Sequence, residues 1–288
     1  MSRRWRQFYV PCLALLLLSG ALLVLADSAL ADAFSPESGP TQNAKDTDTL
    51  YKVVFVIGLA IIALVWGILF YSLVRFRSRT GEAPRQVRGN TPLELGWTAA
   101  ASVIVTVLAI VTIAYVDDIK NPVASGPSAL AEVRGQNAAI DQPPPPGGKA
   151  LAIKVSGQQY LWRFQYPNGA VSFHDLVVPK DTTVTLDISS NDVAHSWWIP
   201  KLGGKFDALR GLSNETWLKA TSTGVFRGQC AELCGANHDA MTAKVIVVEP
   251  DQYQTWVENQ KKLIQEAQKL VQQQRKRLPT TEGGPAGA

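Results

Sequence analysis

Apolar positions follow two regimes along this chain. Up to Val116 they come in long unbroken blocks, and beyond Lys149 they come in short alternating runs. The first block follows Arg3, Arg4 and Arg6, runs from Leu13 to Ala26 and meets Ala29-Leu30-Ala31. A basic start, a short apolar centre and an A-x-A end predict a cleavable leader over residues 1–31. The competing reading is a retained membrane helix, since the uncharged run reaches back to Phe8. The early Pro11 and the placement of the A-x-A site favour cleavage, which would remove Cys12. The second and third blocks, Val53–Val74 and Leu95–Val116, each hold 22 residues without a charge. At about 1.5 Å per residue each crosses a bilayer core. Core helices of a soluble domain are rarely apolar over such a length. Between the blocks lie Arg75, Arg77, Arg79, Arg85 and Arg88 against a single Glu82. The positive-inside rule puts this loop in the cytoplasm and everything after Val116 on the other, oxidising side. The expectation is a transmembrane helical hairpin over residues 45–118, surrounded by membrane lipid.

Residues 119–148 hold Pro122, Gly126, Pro127 and the run Pro143–Pro146, which reads as a linker, stiff where proline is dense. From residue 149 the period changes to two. Leu151–Val155, Tyr160–Tyr166, Thr182–Ile188, Thr216–Ala220, Val225–Arg227 and Thr242–Val248 are short and rich in Val, Ile, Thr and aromatics. Turn residues such as Pro167-Asn168-Gly169 separate them. Such spacing predicts a β-sandwich or barrel over 149–250. Beyond Pro250, Tyr253, Trp256, Val257, Leu263, Ile264, Leu270 and Val271 recur at helical spacing. An amphipathic helix is expected there, packed on the sandwich or on a neighbouring subunit, with a loose tail completing residues 251–288.

Charge narrows the partners. The net charge is +4, and residues 123–250 carry 11 Lys+Arg against 11 Asp+Glu, so no basic face offers itself to nucleic acid.

The chemistry is concentrated in GQCAELCGANHDAM, Gly228–Met241. It contains two of the three cysteines, one of the three histidines and the second of the two methionines. A further histidine, His195, stands upstream in NDVAHSWWIP. Thiolate, imidazole and thioether together suit copper. Two cysteines rather than one suggest two copper ions bridged by sulfur. Cys230 and Cys234 would bridge, His195 and His238 would cap the ends, and Met241 with a backbone carbonyl would bind weakly on the axial positions. An alternative is a disulfide between Cys230 and Cys234, which leaves His238 and Met241 in the same loop unexplained. His195 alone would read as a core histidine and Met241 alone as core filler. Their joint spacing lifts both. His174 matches no ligand position.

This loop resembles the copper A loop of cytochrome c oxidase subunit II, C-x-E-x-C-x-x-x-H-x-x-M, with matching spacing at every ligand. NDVAHSWWIP resembles that family's first-histidine strand. PLELGWT (Pro92–Thr98), GQQYLWRFQYPNG (Gly157–Gly169) and KFDALRG (Lys205–Gly211) are similar to further family segments, so the likeness runs from about Val53 to Pro250. The resemblance implies a membrane hairpin followed by an all-β, cupredoxin-like Greek-key sandwich. It implies a bacterial plasma membrane with the copper domain on the outer, periplasmic side. It also implies that Glu232 gives its backbone carbonyl to copper and its side chain to a magnesium ion at the border with the catalytic subunit. Glu94 would stand near the mouth of a proton path, although an acid at a helix start is also simply favourable there. Tyr160 and Trp162 lie where electrons enter. The family usually reads Gln-Trp-x-Trp where this chain reads Gln159-Tyr160-Leu161-Trp162, so the residue facing the donor is tyrosine, with less π-surface. Ala101 stands where a proline is common, implying a straighter helix.

The function so implied is electron entry into a terminal haem-copper oxidase. Electrons from a separate c-type cytochrome would pass through copper A to haem in a catalytic partner subunit, where oxygen is reduced with proton pumping. The hairpin blocks contain no histidine to hold haem, and no Cys-x-x-Cys-His for covalent haem occurs. Catalytic oxygen chemistry would lie on the partner, with other oxidase subunits alongside. The competing readings are the copper A subunit of a nitric-oxide reductase and a membrane-tethered copper carrier or assembly protein. The quinol-oxidising relative lacks the copper ligands that this chain has.

Overall fold

The computed structural model describes residues 39–77, 86–126 and 150–277. The leader, the proline run and the tail expected from sequence lie outside these residues. The described residues form two compact units.

The first unit is helical. Helix α1 spans Gln42–Arg75 and α2 spans Thr91–Lys120, and both are long and apolar enough to cross a membrane. Along Val53–Val74 and Leu95–Val116 no side chain is buried. Leu73 and Ile113 keep more than two thirds of their surface free. Apolar surface on this scale is stable in hydrocarbon and costly in water. The chain is a membrane protein. The start of α2 is a reciprocal cap: Asn90 Oδ1 accepts the Leu93 N–H at 3.2 Å, and Glu94 Oε1 accepts the Asn90 N–H at 3.1 Å.

The second unit is a cupredoxin-like Greek-key sandwich of two five-stranded sheets. Its strands are β1 (Leu151–Gln158), β2 (Leu161–Gln165), β3 (Val171–Phe173), β4 (Asp175–Pro179), β5 (Val184–Ser190), β6 (His195–Trp198), β7 (Lys205–Ala208), β8 (Asn214–Leu218), β9 (Gly224–Cys230) and β10 (Thr242–Val248). One sheet runs β3-β2-β1-β5-β8, the other β4-β10-β9-β6-β7. Pairing is antiparallel except for β1 with β5 and β4 with β10. Period-two alternation fixes the register. In β1, Leu151, Ile153 and Val155 point inward while Lys154 and Gln158 face solvent. β10 does the same with Ala243, Val245 and Val247. Trp162 and Phe164 fill the centre from β2, both fully buried.

Helix α3 (Pro250–Arg277) closes one edge of this core with Tyr253 and Val257, while the Trp256 ring packs tilted against that of Tyr166, 5.0 Å between centroids. The Tyr166 hydroxyl accepts the Val177 N–H at 2.8 Å and donates to the Val177 carbonyl at 3.0 Å. Burial holds its ionisation far above the usual tyrosine range.

The outer ends of both helices, up to Lys45 and from Tyr115 onward, belong to this second unit. The Trp217 indole donates to the Ile119 carbonyl at 2.9 Å, and the Trp217 carbonyl accepts from Asn43 Nδ2 at 2.9 Å. Thr183 Oγ1 donates to the Val123 carbonyl at 2.6 Å.

Candidate metal centre

The site is assembled by strand ends. His195 opens β6, Cys230 closes β9 and Met241 stands immediately before β10. β6 pairs with β9, placing Trp197 opposite Cys230, so the upstream histidine arrives beside the loop. The Cys230 N–H donates to the Met241 carbonyl at 2.9 Å, and the Ala231 N–H to the Ser196 carbonyl at 2.9 Å. Between these feet the loop arches through Cys234 and a 3-10 turn at His238–Ala240.

Five side chains and one carbonyl converge. The two sulfurs are 3.9 Å apart, about twice the length of an S–S bond. His195 Nδ1 is 3.9 Å from Cys230 Sγ, and His238 Nδ1 is 3.5 Å from Cys234 Sγ. Met241 Sδ lies 3.8 Å from Cys234 Sγ, and the Glu232 carbonyl oxygen 3.3 Å from Cys230 Sγ. His195, Cys230, Cys234 and Met241 are buried, His238 is half-buried, and the Glu232 side chain is exposed. His174 lies elsewhere, exposed between β3 and β4.

The electrostatics call for a cation. Burial, and then the adjacent Cys230 thiol, pushes the Cys234 thiol up to about 11. Two thiolates this close are unstable without a positive charge between them, and a metal ion supplies it. His195 is ready to bind. Burial raises the Asp192 carboxyl, but hydrogen bonds from the Gln159 N–H, the His195 ring and the Val193 N–H outweigh it and hold the group below the usual carboxylate range. Asp192 is therefore an acceptor, so His195 Nε2, 2.8 Å from its Oδ1, carries the proton. That leaves the Nδ1 lone pair facing the sulfurs, the arrangement by which carboxylates orient metal-binding imidazoles. Two thiols, two imidazoles, a thioether and a carbonyl suit a soft transition metal.

With this geometry in hand, the relatives are informative. The family model described as cytochrome C oxidase subunit II, transmembrane domain, matches residues 28–114, and the one described as its periplasmic domain matches residues 170–250. Cytochrome c oxidase subunit 2 of Thermostichus vulcanus is 34% identical over 252 residues, covering 77% of this chain and 76% of that protein. The chain belongs to the cytochrome c oxidase subunit 2 family. Subunit 2 of Alkalihalophilus pseudofirmus is 36% identical over 218 residues, 74% of this chain, but the match spans only 58% of that longer protein. The solved periplasmic domain of subunit II of cytochrome oxidase from Bradyrhizobium japonicum is 36% identical, covers 39% of this chain and 94% of that one, and gives a TM-score of 0.38.

Of the remaining positions read from sequence, two lie in the sandwich and one in the helical unit. Trp162 is fully buried with its ring 6.0 Å from that of His195. Tyr160 is half-buried and leans on the loop: a Cβ on Gly235 would lie 2.6 Å from its hydroxyl. Glu94 lies in the helical unit, its carboxylate engaged in the α2 cap. Asp192 and Gln159 escaped sequence reasoning. The only signal for Asp192 is its spacing of three residues before His195, which in a turn brings a carboxylate to the ring.

Proposed function

We propose that this chain is the electron-entry subunit of a terminal oxidase, and that His195, Cys230, Glu232, Cys234, His238 and Met241 hold a dinuclear copper A centre. The observation that carries this reading is the convergence of both sulfurs, both imidazole Nδ1 atoms and the Met241 thioether within hydrogen-bond-like distances in one buried pocket. Copper held there by the Cys230 and Cys234 thiolates and the two imidazoles would supply single-electron transfer with little change in bond lengths. The residues of the chain do the rest. The β9–β10 ladder holds Cys230 and Met241 in place, and Asp192 holds the His195 ring with its proton on the far nitrogen.

Trp162 is sealed from solvent, so a donor protein meets the Tyr160 face and the exposed Leu233 of the ligand loop. A c-type cytochrome is the donor in this reading, and haem in a catalytic partner subunit is the acceptor, on the periplasmic side of a bacterial plasma membrane. In this reading the exposed Glu232 carboxylate takes magnesium at the border with that partner. Glu94 would serve a proton path only on leaving the Asn90 cap.

Copper titration of the full chain in detergent tests the centre. Two coppers per chain, with one unpaired electron split equally over two nuclei, are expected. One copper with a blue-type spectrum, or a Cys230–Cys234 disulfide persisting in metal-loaded protein, would refute it.

A further inference from the structure

The two halves of the arch between β9 and β10 are held differently. The inner half is part of the sheet: the Cys230 and Ala231 N–H groups donate to Met241 and Ser196 carbonyls, each at 2.9 Å. The outer half, Cys234 to His238, has the internal bond from the His238 N–H to the Gly235 carbonyl at 3.2 Å. Its His238 end is tied to the β10 foot by the Met241 N–H, which donates to the His238 carbonyl at 3.2 Å, and its Cys234 end is tied by Gln159, in the turn between β1 and β2. Gln159 Nε2 donates to the Cys234 carbonyl at 2.7 Å. The same residue's backbone N–H donates to Asp192 Oδ2 at 2.8 Å, and the other oxygen of Asp192 holds His195. A third observation fits. Gly235 has φ of +134°, and a Cβ there would approach Gln159 Nε2 to 2.9 Å. The loop lacks a side chain at the point where the glutamine amide presses on it.

We propose that Gln159 is the positioning residue of this centre, a strut that fixes the outer half of the metal loop and, through Asp192, the distant histidine. It touches no donor atom of the pocket. It sets the Cys234 backbone and, beside Tyr160, joins the exposed entry face to the ligand loop. The mechanical part stands without a metal, and only its spectroscopic consequence rests on the copper reading above.

The test uses the full chain in detergent with Gln159→Ala and Gln159→Glu. Glutamate keeps the length but replaces the amide donor with an oxygen that repels the Cys234 carbonyl. In copper-free protein, amide hydrogen exchange is compared at His238 and at Cys230 and Ala231. Loss of one hydrogen bond predicts about fivefold to tenfold faster exchange at His238 in both variants, with the inner amides unchanged within about twofold. In copper-loaded protein the unpaired electron is expected to divide unequally between the two nuclei. Wild-type exchange at His238 in either folded variant overturns the proposal, as does equal acceleration at inner and outer amides. Should Gln159→Ala fail to fold, Gln159→Glu decides alone. If the chain does not bind two coppers, the exchange result still stands or falls separately.

Discussion

The hairpin and the sandwich draw on the same residues, valine, isoleucine and leucine, yet use them in opposite ways. Val105 and Ile110 of α2 keep most of their surface free, whereas Val155 and Ile188 of the sandwich have none. In the sandwich, hydrophobic side chains are consumed within the chain, locking strands whose ends carry the ligands. In the hairpin they are left for lipid or for another subunit. Stability of the metal pocket is therefore an internal property, while stability of the hairpin belongs to its surroundings.

Three pairs of substitutions sharpen or break that contrast. Cys230→Ser has the largest expected effect: binding of two coppers is lost entirely, because oxygen bridges a soft metal poorly. The sandwich should still fold, as circular dichroism would report, whereas Met241→Leu should retain copper with a shifted potential. Next, Ile188→Ala should cost about 2–5 kcal/mol in denaturant unfolding of the sandwich by opening a cavity. Ile110→Ala should leave that transition unmoved. Third, Val105→Lys should cost about 2.5–3.5 kcal/mol in a membrane-insertion assay, while the similarly exposed Val225→Lys on β9 should change stability by less than about 0.5 kcal/mol. Equal effects at these two positions would erase the distinction between the regions.

The smallest effect is electrostatic. Hydrogen bonds from Lys205 and Ser196 hold the Asp207 carboxyl below its ordinary value. Its folded pKa is depressed, so the stabilisation is present above the usual carboxylate pKa of about 3.9 and fades as pH falls through the folded value. Asp207→Asn should weaken the sandwich by about 0.5 kcal/mol at neutral pH, given the exposure of the pair. It should match the parent near the acid limit, as urea titrations at both pH values would reveal.

The helices and the alternating strands were legible because their periods are long or strict: β1, β5, β8 and β10 follow their apolar runs closely. Three strands were not. β3 has three residues, β7 has only four, and β4 is a continuously buried run, Leu176–Val178, too short to separate from a loop by period. β9 is longer than Val225–Arg227 suggests because Gly228 interrupts the pattern. That glycine is needed: a Cβ there would sit 2.0 Å from the Trp198 carbonyl of the neighbouring strand. The donor residues were readable through loop spacing, since ligand type and interval are local. Gln159 and Asp192 were not, because their role depends on two turns meeting in space and on backbone groups that no residue name encodes.

The bond from the Cys230 amide to the Met241 carbonyl has a geometric corollary. The ten residues between these two form an arch whose feet face each other across neighbouring strands, one step beyond the Thr242–Gln229 pair of the β9–β10 ladder. An insertion or deletion within the arch leaves both footings where they are and displaces only the crown, where Cys234 and His238 ride. Length polymorphism here would detune one end of the pocket while sparing the other.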